Sequence, residues 1–343
     1  MAKRATMKDI ANAAGVSAAT VSYILNNKAD KSISAETRSN VLSIAKSMNY
    51  IPNTAAQRLK TNRANCIAVH LSQTLMLPRY HSILQGLRNY LTPRGYNILL
   101  VNDQDCGSFS GCVYAYLSGQ ADGIIYISSD GKGLSGSELT QIEKEGIPLS
   151  VIDCMGENAK VSSITYDYYA SSSLRAEYLL QQGFRKILYL CPAYLDPKEI
   201  AREQGAKSIA VMHADVSVDV LAIQTLDETW KASIRSEQFI DIFNHKVVRE
   251  TAQILETVPP DTAILAYSRE LQEAVMRILL RQHLTSNNSA TDAWYKRGVS
   301  YHFPHYEAGV EAACSLVNAI NGAAEPRRLS LRPIIDLIDP VLY

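Results

Sequence analysis

The chain has 343 residues, 47% of them apolar, which suits two or three packed domains and excludes a disordered chain. No apolar run approaches the roughly 18 residues of a membrane span, and the charged opening MAKRATMKDIANAAG holds no apolar export core, so a cytoplasmic protein without membrane contact is expected. The formal charge of zero is divided: residues 1–63 carry ten Lys or Arg against three acids, a formal +7, and the remainder carries −7, as a polyanion-binding head on an acidic body would.

In chain order, Thr6 is placed to cap a first helix with Ile10, Ala13 and Ala14 on its apolar side. Gly15 breaks it, Val16 turns inward, and Ser17 caps a second helix from Ala18 to Leu25. Two helices joined by so short a Gly-containing turn make a helix-turn-helix. Asn26-Asn27-Lys28 ends the second helix, and Ser34 caps a third with Val41, Leu42, Ile44, Ala45 and Met48 at helical spacing. Pro52 then opens a short helical segment to Lys60 whose one large apolar residue is Leu59, too little for a core of its own.

From Cys66 onward, strand-like runs at 66–71, 97–102, 122–127, 148–152, 186–191, 218–225 and 262–266 alternate with helical stretches. That alternation predicts an α/β body of parallel sheets, in two Rossmann-like lobes with a cleft at the carboxyl ends of their strands. Asp167 is placed as a helix cap. Cysteines 66, 106, 112, 154, 191 and 314 contain no CxxC pair and read as reduced thiols, not as a metal site or disulfide framework.

Two motifs imitate other chemistry. Gly131-Lys132-Gly133-Leu134-Ser135-Gly136 is a GxGxxG that follows a strand, as in a dinucleotide fingerprint, but Ser128-Ser129-Asp130 separates the strand from the first glycine. His302 and His305, with Glu307 beside them, have metal-like spacing but no evident further ligand, and no Ser-His-Asp elbow is present. No enzyme, cofactor or metal is therefore expected; an NAD-binding enzyme or a free-standing solute-binding protein is the alternative.

ATMKDIANAAGVSAATVSYILN, with SISAETRSNVLSIAKSMNYIPNTAAQRLKTNR after it, closely resembles the head of the lac-repressor family. The body resembles that family's periplasmic-binding-protein-like domain more loosely, with landmarks at Arg94-Gly95-Tyr96, Ala121-Asp122-Gly123, Asp153, Asp167 and Arg202 to Gly205. The resemblance implies an all-α helix-turn-helix domain over 1–50, a hinge helix over 51–63, and an effector-binding and dimerisation domain over 64–343. Its first lobe would hold about 64–165 and 297–326, its second about 166–296 and 327–343. It further implies a homodimeric repressor on a pseudo-palindromic operator in double-stranded DNA, controlled by a sugar-like or nucleobase-like small molecule.

By the same resemblance, Thr6, Ser17, Thr20, Ser22, Asn26, Tyr50, Asn53 and Ala56 serve DNA contact, and Ala18, Ala19 and Tyr23 occupy base-reading positions. Two alanines offer only apolar contacts, for instance with thymine methyls, and Tyr23 cannot form the arginine–guanine fork. A lac-type operator is therefore not expected. Leu59 matches an intercalating wedge, its plainer role being a linker residue. Effector contact is implied for Arg202, Asp153, Thr74, Tyr166 and Ser268, the plainer roles being a surface arginine for Arg202 and a strand-end cap for Asp153. Ser268-Arg269 stands where the family has an Asn-Asp or Ser-Asp pair. Between Leu284 and Val299 there are too few residues for the family's usual strand and effector-binding aspartate, which leaves three alternatives: a reshaped cleft, an atypical ligand, or a cleft that has lost its ligand.

Overall fold

The computed structural model describes residues 5–25, 33–51, 63–71, 77–101, 110–128, 134–154, 161–233, 239–285, 294–322 and 325–336. Its contacts gather into two units, Met1–Arg63 and Ala64–Tyr343. In the first, helices α1 (Met7–Ala14), α2 (Ala18–Leu25) and α3 (Ala35–Ser47) close on a core of Ile10, Ala11, Val21, Ile24, Val41 and Ala45. The inward alanine of α1 is Ala11, while Ala13 is exposed. Leu42 and Met48 face out, while Val41, Ala45 and, in part, Ile44 meet the core.

In the second unit a six-stranded parallel sheet forms the first lobe. It is built from β1 (Cys66–Leu71), β2 (Asn97–Val101), β3 (Gly123–Ile127), β4 (Leu149–Ile152), β5 (Ser162–Tyr166) and β10 (Arg328–Leu331), in the order β10-β5-β4-β3-β1-β2. Helices α4 (Pro78–Leu91), α5 (Gly111–Leu117) and α6 (Gly136–Glu145) follow β1, β2 and β3. The central strands are apolar on both faces, as a sheet covered on both sides must be. Asp122, ahead of β3, accepts from the amides of Ala64 (2.7 Å) and Asn65 (2.7 Å), fixing the start of this unit against its sheet.

The second lobe holds the parallel strands β6 (Lys186–Pro192), β7 (Ser217–Ile223) and β8 (Thr262–Ala266) in the order β7-β6-β8. Its helices are α7 (Tyr168–Gln181), α8 (Pro197–Met212), α9 (Glu228–Ser233), α10 (Phe239–Ile242), α11 (Val248–Glu256) and α12 (Arg269–Thr285). The chain returns through β9 (Ser300–His302) to α13 (His305–Ile320), which packs on α4; β11 (Ile334–Asp336) pairs antiparallel with β9. Gly86 and Gly309 permit that helix contact: a Cβ on Gly86 would lie 2.1 Å from the Tyr306 carbonyl oxygen. One boundary differs from the sequence reading. Residues 328–331, expected with 327–343 in the second lobe, pair in parallel with β5 and extend the first sheet at its edge.

Candidate functional site

In the head, each helix start is built as its sequence implies. Thr6 and Asp9 form a capping box, the Asp9 amide donating to Thr6 Oγ1 (3.2 Å) and the Thr6 amide to Asp9 Oδ2 (2.9 Å). Gly15 takes the left-handed conformation at φ 65°, where a residue with a Cβ is strained. The Thr20 amide then donates to Ser17 Oγ (3.1 Å), and the Thr37 amide to Ser34 Oγ (3.1 Å). Burying Val21 and Ile24 turns the rest of α2 away from the core: Ala18 and Ala19 are exposed, and Thr20, Ser22 and Tyr23 half-buried. Tyr50 is half-buried and packs on the head core. Asn26, Asn53, Ala56 and Leu59 lie outside the described residues, as does Thr74.

In the body, two adjoining cavities of about 590 and 350 Å³ open between the lobes, sharing walls made by Arg79, Tyr168, Arg202 and Ser268. Asp153 leaves the end of β4 with a left-handed backbone, φ 58°, that turns its carboxylate toward the second lobe. There Oδ2 accepts from Lys198 Nζ (2.8 Å) and Oδ1 from the Tyr168 hydroxyl (2.6 Å), while Lys198 also donates to the Asp153 carbonyl (3.1 Å). Both side chains of the pair are at least nine-tenths buried. Asp153 is thus more than a strand-end cap: it forms a clasp between β4 of one lobe and α8 of the other.

The first turn of α8 makes the rest. Asp196 caps it, accepting from the amides of Lys198 and Glu199 (3.0 Å each). One turn on, Arg202 pairs with Glu199 and lies 4.3 Å over the Tyr168 ring. Burial pushes the Glu199 carboxyl up, and Arg202 is no surface arginine, its side chain being 11% exposed. Two polar atoms of this pair, Glu199 Oε2 and Arg202 Nε, are buried with no hydrogen-bond partner among the described residues. Ser268 Oγ accepts from the Leu271 amide (3.2 Å), capping α12 at the cleft wall. Asp167 is the N-cap of α7, accepting from the Ala170 amide (2.8 Å).

The crossover beneath the cleft is aromatic. Tyr166, Tyr168 and Tyr301 surround Phe303, and the Tyr166 hydroxyl meets His305 Nδ1 at 2.8 Å. Burial first, then the charges of Arg79, His302 and Arg269, push His305 down to about 3, so its ring is neutral. His302 pairs instead with Asp336 (2.8 Å). Arg175, wholly buried, donates to the carbonyls of Ser171 (2.6 Å) and Ala266 (2.9 Å) and lies 4.2 Å over Tyr301; burial pushes it down to about 10.

Sequence reasoning reached Asp153, Tyr166, Arg202 and Ser268, and the fold brings these four to one cavity. It missed Lys198, Glu199, Tyr194, Trp230 and Tyr267, which line the second cavity. Glu199 could have been found, since it stands three residues before Arg202 in a helical stretch. The dinucleotide reading finds no support. Glu138 accepts from the Ser135 amide (2.9 Å) and occupies the start of α6, where a pyrophosphate would have to sit. No described helix is long and apolar enough to cross a membrane.

Residues 6–53 match the family described as bacterial regulatory proteins, lacI family. Catabolite control protein A of Staphylococcus xylosus is 27% identical over 232 residues, covering 67% of this chain and 68% of that one. The HTH-type transcriptional repressor PurR of Vibrio atlanticus is 27% identical over 284 residues, covering 80% and 79%. In fold, the chain is similar to the lac repressor dimer bound to operator and an anti-inducer, with a TM-score of 0.70 at 19% identity over 97% of this chain and 98% of that one.

Proposed function

We propose that the chain is a regulator of the lac-repressor family, whose model matches residues 6–53, with a division of labour between its two units. The head reads a pseudo-palindromic operator in double-stranded DNA, two copies acting as a homodimer in the cytoplasm. The body takes a small-molecule effector in the interlobe cleft and sets operator affinity. It is a repressor and not an enzyme.

The observation that carries this reading is α2. It is capped by Ser17, preceded by a left-handed glycine turn, packed through Val21 and Ile24, and leaves Ala18 and Ala19 exposed on a unit of formal charge +7. Such a helix fits the major groove, with Thr6, Ser17, Thr20 and Ser22 assigned to phosphates, as Asn26 is by the family resemblance, and Ala18, Ala19 and Tyr23 to bases. Tyr50, Asn53, Ala56 and Leu59 extend the contact toward the minor groove. An isolated helix as short as the one opened by Pro52 is marginal in water, so it forms with DNA and its twin.

The body offers apolar surface for the second copy. The edge strands β2 and β7 expose Leu100 and Leu221, and Val211, Met212 and Leu284 lie bare on the second lobe. Effector binding at Asp153, Tyr166, Arg202 and Ser268 changes the angle between lobes and, by linkage, operator affinity.

The test is fluorescence anisotropy on a duplex selected by the full-length protein. Specific binding should weaken steeply with salt, log affinity falling linearly with log salt, and a protein lacking residues 1–63 should not bind. Undiminished specific affinity in the truncated protein would refute the assignment.

A further inference from the structure

The outward face of α2 carries little polar chemistry. None of the ten Lys or Arg of the head lies on this helix, and it holds no acid and no carboxamide. Ser17 Oγ and Thr20 Oγ1 lie 2.9 Å apart, bonded to one another at its start. Val21 and Ile24, 0% and 3% exposed, fix the inward direction. At about 100° of turn per residue, Ala19 stands almost opposite that direction, with Ala18 and Ser22 to one side of it and Tyr23 to the other. Ala18 and Ala19 are exposed, Ser22 and Tyr23 half-buried. The residue that leads this helix outward is therefore a bare methyl group.

That arrangement limits what α2 distinguishes in a major groove. The strongly discriminating contacts there are two-bonded forks, Arg or Lys on guanine and Asn or Gln on adenine, and α2 has none of these side chains. Ser22 and Tyr23 carry one hydroxyl each and cannot form such a fork. What Ala19 and Ala18 offer is apolar contact, and the apolar group that base edges present in this groove is the C5-methyl of thymine. So short a leading side chain lets the helix backbone come close to the base edges, as contact between two methyl groups requires. The basic residues of the head, all off this helix, supply affinity through phosphates without reading sequence.

Resting on the operator reading above, we propose that Ala19, with Ala18 beside it, is a methyl reader: each operator half-site holds a pyrimidine recognised by its C5-methyl group. A methyl group at that place in the groove is carried by thymine and equally by 5-methylcytosine; uracil and cytosine lack it. The protein therefore distinguishes methylated from unmethylated cytosine at this pair, and enzymatic cytosine-5 methylation there is a mark it detects.

The experiment measures fluorescence anisotropy of the full-length protein on the duplex it selects from a random library. Each thymine of the half-site is replaced in turn, in both halves together, by deoxyuridine, which removes the methyl group and nothing else. Burying one group of this size is worth a factor of about four, so replacement at the position read by Ala19 should weaken binding roughly 15-fold over the two halves. With a C·G pair at that position, methylation of the cytosine at C5 should strengthen binding by a similar factor. In the variant carrying Ala18→Gly and Ala19→Gly the uridine penalty should shrink toward one, a ratio in which any general loss of helix stability cancels. If that variant binds too weakly to measure, the wild-type uridine and methylcytosine series decide alone. Uridine tolerated at every position, or equal binding of methylated and unmethylated cytosine, would overturn the inference and leave sequence-specific DNA binding standing. A full uridine penalty in the glycine variant would overturn the assignment to Ala19 and Ala18. Failure to select any duplex would overturn the operator reading itself.

Discussion

Replacing Lys198 by methionine should loosen the two lobes from one another. The Lys198 and Asp153 side chains are 4% and 9% exposed, so neither is hydrated enough to be indifferent to the loss of the other. With the ammonium gone, the Asp153 carboxylate keeps the Tyr168 hydroxyl at 2.6 Å, and a buried charge loses the counterion that is hydrogen-bonded to it. Removing one partner of a buried pair in this way costs about 3–5 kcal/mol. The same reasoning makes the double replacement, Asp153→Asn with Lys198→Met, far milder, because no charge is then stranded. Urea unfolding of the full-length protein, followed by tryptophan fluorescence with Trp230 in the second-lobe core, measures both variants. A Lys198→Met loss below about 1 kcal/mol, the range of exposed pairs, would refute the claim that a desolvated clasp joins the lobes. So would a double variant as unstable as the single one.

His305, pushed down to about 3 by burial and neighbouring cations, ordinarily titrates near 6.5 when unfolded. Between those values the unfolded chain holds one proton more than the native chain, so stability should fall as pH drops from about 6.5 toward 3 and level off above. His305→Gln should flatten that part of a Tm-against-pH curve; parallel curves would contradict it. Gly86→Ala places a Cβ 2.1 Å from the Tyr306 carbonyl oxygen, and forcing α4 from α13 should cost about 1–3 kcal/mol, seen as a lower Tm; an unchanged Tm would mean the helices are not in close contact. Leu59→Ala should weaken specific binding and reduce the DNA bend in a circular-permutation assay while sparing non-specific binding; an equal bend would make Leu59 a linker.

The head was legible because what forms it is local. Thr6, Ser17 and Ser34 cap helices that begin one residue later, and Gly15 stands where a left-handed turn is needed. Strands β1, β3, β4 and β8 were visible as apolar runs because both their faces are covered. By contrast β5, Ser162–Tyr166, begins with two serines and alternates in burial, and β10 is a half-exposed edge of four residues. Neither has an apolar run to betray it. The cleft was legible only in part. Asp153 and Arg202 were reached through the family resemblance, but Lys198 lies 45 residues from Asp153, and only the folded chain brings α8 under β4. Asp122 and Gly205 gain their physical reasons from the structure too: one holds the amides of Ala64 and Asn65, and the other lets α8 approach the Tyr169 carbonyl.

Selection of binding sites from a random duplex library by the full-length protein, in parallel with Tyr23→Ala, tests the central claim most directly. Two copies of α2 on a symmetric dimer should enrich an inverted repeat with half-sites about one helical turn, or a small multiple of it, apart. Tyr23→Ala should relax the preference at one position in each half, at a cost of about 1–3 kcal/mol for a good base contact. Failure to enrich any sequence, or enrichment of a site without two-fold symmetry, would contradict the account.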